Sequence, residues 1–171
     1  MVGAVKTIAI KGPTTSVDLD LPRAKLEGAL EDLAQPGTVQ LILRDITADS
    51  HPGTLFNIYL VKKDDPARRQ HVGTISWFGA FSHHHEGDSG PETKTRTFDV
   101  TDELRALGDS SLAAAGLTVV IEATDGRVPA DPAKLQAHRD KASKAFRAAS
   151  NLRIGSIELH TVPAPPKPEK K

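Results

Sequence analysis

Hydrophobic residues in this chain recur with a period of two, in short runs separated by turn formers. Val17, Leu19 and Leu21 alternate with Asp18 and Asp20, and Val39, Leu41 and Leu43 alternate with Gln40 and Ile42. Phe56, Ile58 and Leu60 share one face of TLFNIYLV, Ile75 and Trp77 one face of HVGTISWF, and Leu117, Val119 and Ile121 one face of LTVVIEA. Near the C-terminus Arg153, Gly155, Ile157 and Leu159 fall on one side, with Ile154, Ser156 and Glu158 on the other. Successive side chains of a strand point to opposite faces, so this pattern makes one face apolar and leaves the other to solvent. Pro, Gly, Asp or Ser separates most of the runs, as expected of a turn-rich sheet protein. The pattern predicts an all-β fold: an antiparallel β-sandwich or a jelly-roll-like barrel. Its expected core is Val39, Leu41, Leu43, Phe56, Ile58, Leu60, Ile75, Trp77, Phe98, Leu117, Val119, Ile121, Ile157 and Leu159.

Two or three peripheral helices are expected beside the sheets. Pro22 suits a first helical position, Leu26, Leu30 and Leu33 then form one apolar stripe, and Pro36-Gly37 stops the helix. Thr101 is the expected N-cap of a short helix through Leu107, with Asp102 and Glu103 at its positive end. Asp131-Pro132 opens a third, polar helix running to about Ser150, read as a surface excursion between the last two strands. With 171 residues the chain suits a single domain, taken as residues 1–162. The ending PAPPKPEKK makes residues 163–171 an expected disordered tail of polyproline character.

Several function classes are disfavoured by composition. Lys plus Arg and Asp plus Glu balance at 22 each, so no net charge draws the chain to nucleic acid or an acidic membrane. Cysteine is absent, which removes disulfide frameworks, zinc knuckles and thiol nucleophiles. No run approaches the roughly 20 apolar residues that span a bilayer. MVGAVKTIAIKG reads as a strand without the basic and apolar regions of a signal peptide, so the default expectation is the cytoplasm, unless the chain is a piece of something larger. Neither a phosphate-binding glycine loop nor a G-x-S-x-G elbow is present. Glu122 and Glu158 read as outward-facing strand charges, and His51, His71, His138 and His160 as structural or exposed. The expectation is a non-catalytic chain.

One segment carries ligand chemistry. His83, His84 and His85 follow the predicted strand HVGTISWF and precede Glu86 and Asp88. Imidazole and carboxylate groups so dense in a polar loop form a candidate metal site, with His71 as a helper if the sheet folds back. A solvated histidine run is the alternative.

The order of the pieces resembles the C-terminal domain of tyrosinases and plant-type polyphenol oxidases. LFNIYLV, HVGTISWFG, SHHH, TRTFDVTDELRAL, LTVVIEA and LRIGSIEL follow one another as that domain's strands and histidine-rich segment do. Residues 55–61 match its first strand, 72–75 the second, 97–107 the T-x-L-R-L element and 154–159 the I-G-x-I-x-I strand. The likeness covers about residues 38–160. Departures are contiguous rather than alternating histidines, an inserted stretch at 124–151, a first strand without K-F-D-V, and no copper-binding catalytic domain. The resemblance implies a β-sandwich that packs over a dicopper centre, in cis or in trans, and keeps it latent by inserting an apolar side chain. Phe81 is the first candidate for that plug and Phe78 the second, unless Phe81 tucks back into its own domain. The resemblance also implies copper handling, by His83, His84 and His85. A free-standing metal-ion or small-molecule binding module of the same fold is the alternative. A small metalloenzyme ranks last, because a catalytic metal needs about three well-fixed ligands and an open position.

Overall fold

A computed structural model of the chain describes residues 1–32, 37–76, 93–108, 112–127 and 134–163. Among the described residues eight strands form two four-stranded sheets. They are β1 (Gly3–Ala9), β2 (Thr14–Asp18), β3 (Gly37–Ile46), β4 (Leu55–Lys62), β5 (Asp65–Ile75), β6 (Lys94–Asp99), β7 (Leu117–Thr124) and β8 (Arg153–Pro163). The first sheet runs β1-β8-β3-β6 and the second β2-β7-β4-β5, and every pairing is antiparallel. Of the two expected architectures the chain adopts the open sandwich, with no closed barrel. Among the described residues β4 and β5 join as a tight hairpin within a sheet.

Period-two alternation places the core. Leu41 and Leu43 of β3, Phe56, Ile58 and Leu60 of β4, Val119 of β7 and Ile157 and Leu159 of β8 are fully or almost fully buried in one cluster. Val39, Ile75, Leu117 and Ile121 join them. Phe98 is only partly buried, its ring lying against Gly73, where an added Cβ would come within 2.6 Å of it. Trp77 lies outside the described residues.

Alternation fails along one line of the first sheet. The expected outward residue Ile154 is buried, as is Leu152. The register puts Gly155 of β8 between Thr7 of β1 and Asp45 of β3. Thr7 and Asp45 both have left-handed backbone, with φ of 56° and 51°. A left-handed residue rotates the chain out of the pleat and shifts the side-chain phase by one position. Beyond this crease Ile8, Ile46 and Ile154 enter the core in place of their neighbours. Gly155 allows it: a Cβ there would lie 2.7 Å from the Cβ of Asp45.

The helices are α1 (Arg23–Asp32), α2 (Thr101–Leu107), α3 (Leu112–Ala115) and α4 (Leu135–Ala145), followed by a 3₁₀ turn at Ala148–Ser150. Leu26 and Ala29 bury the apolar side of α1. α3 was not foreseen; Leu112 and Ala113 tuck beneath it into the core. α2 begins where expected, but Thr101 is not its cap. Val100 holds the N-cap position, and the Asp99 carboxylate accepts the Thr101 N–H at 3.0 Å. The Thr101 hydroxyl instead donates to Asp99 and accepts the Val39 N–H at 2.9 Å, tying the helix to β3. The third helix is shorter than expected because Phe146 turns to extended backbone and ends it.

Candidate functional site

Most of the site anticipated from sequence, His83, His84, His85, Glu86, Asp88, Phe81 and Phe78, lies outside the described residues. Its flanks are defined. β5 is the edge of one sheet and β6 the edge of the other, so residues 77–92 connect the two sheets. His71, the proposed helper, is exposed on β5. Its Nε2 lies 3.3 Å from Asn57 Oδ1, an oxygen that also accepts the Thr74 hydroxyl at 2.6 Å. With Nε2 donating, the lone pair sits on Nδ1, which is a ligand-competent state. Ser76 lies five positions beyond His71, roughly 16 Å at strand rise. His71 reaches the histidine run only if that run doubles back along β5. Among the described residues no group of three or more His, Asp or Glu side chains is arranged to hold a metal ion.

Two carboxylates organise polar clusters on the outer faces of the sheets. Both were expected to be outward-facing charges, and both face outward; neighbouring side chains cover them. On the first sheet Glu158 sits in β8 between Ser156 and His160, on the face away from Ile157 and Leu159. Its Oε2 takes hydrogen bonds from Arg44 Nε at 3.0 Å and His160 Nε2 at 2.8 Å, and its Oε1 takes one from Ser156 Oγ at 2.9 Å. Burial pushes this carboxyl up, but the bonds from His160, Arg44 and Ser156 and the Arg44 charge outweigh it and hold it at about 2. Ser156 donates to the carboxylate and not to the imidazole, so the trio lacks the nucleophile–base contact of a hydrolytic triad. A carboxylate ionised down to pH 2 is no general acid near neutrality.

On the second sheet Glu122 of β7 pairs with Arg69 of β5 at 3.1 Å and with Arg139 of α4 at 2.8 Å. Arg69 lies 3.7 Å over the Tyr59 ring, and Asn57 Nδ2 donates to the Tyr59 hydroxyl at 3.2 Å. Next along the chain, Asp125 meets His138 of α4 at 2.7 Å and accepts the Arg127 N–H at 3.1 Å. Burial pushes the Asp125 carboxyl up, and the bonds from His138 and Arg127 win, leaving it below the ordinary range. These are ion-pair clusters that fix elements to the sheet. Sequence reading missed them because Arg69, Glu122 and Arg139 are far apart in the chain. The signal available was polar residues at outward strand positions beside a helical insertion rich in Arg and Lys.

A shallow cleft of about 430 Å³ lies at the start of β3 and α2, lined by Gly37, Thr38, Asp99, Thr101, Asp102, Glu103 and Arg105. Two of its acidic groups are engaged: the Asp99 carboxylate accepts the Thr101 N–H and Asp102 binds Arg105 at 2.8 Å.

Fold and clusters together define an antiparallel two-sheet sandwich with peripheral helices. No protein-family model matches the chain, and no curated protein matches it. Among solved structures it is similar to a recombinantly expressed latent aurone synthase, a polyphenol oxidase. That match has 13% identity and a TM-score of 0.44, covering 97% of this chain and 26% of that one. Latent aurone synthase from its natural source aligns at 13% identity and a TM-score of 0.43, covering 96% and 25% of the two chains. The chain thus spans about a quarter of the length of these oxidases. A likeness of this degree assigns neither family nor activity. No helix among the described residues is long and apolar enough to cross a membrane.

Proposed function

We propose that the chain is a non-catalytic accessory domain of the tyrosinase and polyphenol oxidase C-terminal type. It shields or regulates a dicopper centre, in cis or in trans, and handles copper through His83, His84 and His85. The observation that carries the reading is the agreement of element order with the resemblance. Residues 55–61 fall within β4, 72–75 within β5, 97–107 cover the end of β6 and all of α2, and 154–159 fall within β8. In the sequence the histidine run lies between the β5 and β6 segments. Calorimetric titration tests the copper-handling part. Wild-type chain should bind Cu(II) more tightly than Ni(II) or Zn(II), and a variant with all three histidines changed to Ala should lose that binding. Affinity should fall as pH drops through about 6.5, because protons compete for imidazole nitrogen. Equal Cu(II) affinity in the two proteins would reduce the run to solvated surface and leave shielding alone. Copper binding without inhibition of a tyrosinase-type catalytic domain in trans would favour the free-standing binding module.

A further inference from the structure

We propose that α4 is a strap that opens from the second sheet as a unit while the sandwich stays folded. It forms an excursion between β7 and β8, which keep their own strand partners without it: β7 lies between β2 and β4, and β8 between β1 and β3. Of its described side chains only Ala142 is buried. A helix of eleven residues is marginal by itself, so docking must hold it. Two polar contacts join it to the second sheet: Arg139 Nε lies 2.8 Å from Glu122 without hydrogen-bond geometry, and His138 meets Asp125 at 2.7 Å. The C-terminal end is fixed differently. Phe146 packs edge-on against Phe56 with centroids 5.9 Å apart, and the Arg147 N–H bonds the Pro52 carbonyl at 2.8 Å. The helix is therefore hinged at that end and held by two polar contacts along its length.

Opening leaves no abandoned charge behind. Glu122 keeps Arg69, and Arg69 keeps the Tyr59 ring. Asp125 keeps the Arg127 N–H and gains water. Removing one partner of a covered ion pair is costly because the other is stranded, and the second arginine avoids that cost. The open state would uncover Glu122.

Amide hydrogen exchange on the whole chain tests the strap. In wild type the amides of α4 should exchange faster than those of β7 and β8. Arg139→Met should speed α4 exchange by about fivefold or more while leaving β7 and β8 unchanged. Arg69→Met should leave α4 at least as protected as in wild type, because opening would then strand Glu122 without a cation. Exchange of α4 in step with β7, or equal acceleration by the two arginine variants, would overturn the proposal and make the helix part of one cooperative unit.

Discussion

Glu158 shows how one residue's role depends on its neighbours. Its position on β8 makes it face outward, but Arg44, His160 and Ser156 come from a partner strand and from positions two residues away on its own strand. Its folded pKa of about 2 lies below its ordinary value of 4.5. A depressed carboxyl contributes stability that is present above the unfolded pKa and lost as pH falls through the folded one. Stability should therefore decline from about pH 4.5 towards pH 2, with Asp125 shifted in the same direction and adding to the loss. Glu158→Gln should cost about 1–3 kcal/mol near neutral pH and flatten the acid limb, as read by urea unfolding across pH. An unchanged limb in the variant would remove Glu158 from the acid response.

At the scale of elements the crease in the first sheet is the main departure from a regular pleat. Three neighbouring strands change phase on one row, Thr7, Gly155 and Asp45. Gly155→Val should destabilise by about 1–3 kcal/mol in denaturant unfolding, because its Cβ would meet Asp45 at 2.7 Å and the crease would have to shift. A neutral substitution would mean that the crease relaxes freely. The outer strands show a second device: β5 carries Pro66 and exposed Arg68, and β6 carries Lys94 and Arg96. Proline and charge on edge strands discourage pairing with another chain.

For the whole molecule the prediction concerns chemistry. The isolated chain supplied with copper should oxidise neither monophenols nor diphenols above the rate of free metal. The motive is that the sequence holds no helical histidine pair and no second histidine-rich set besides His83–His85. Oxygen-uptake assays check this, and saturable turnover lost on His84→Ala with the fold intact would reverse the reading. Much of the molecule was legible beforehand. β4, β5, β7 and β8, the core residues of β3 and β4, and the starts of α1 and α2 follow from alternation and from Pro22 and the acidic first turn after Thr101. Such signals are local, within a few residues of one another.

The sequence by itself therefore determined most of the strand segments and the apolar faces of β4 and β7, because a period of two depends only on adjacent residues. Tertiary structure decided what depends on distant ones. It chose the open sandwich over the barrel and paired β3 with both β8 and β6. It moved the α2 N-cap position from Thr101 to Val100 and tied the Thr101 hydroxyl to the Val39 N–H. It turned Ile154 inward through left-handed residues on two neighbouring strands, and it brought Arg69 and Arg139 to one carboxylate. Each outcome depends on which strand lies beside which, and adjacent residues carry no record of that.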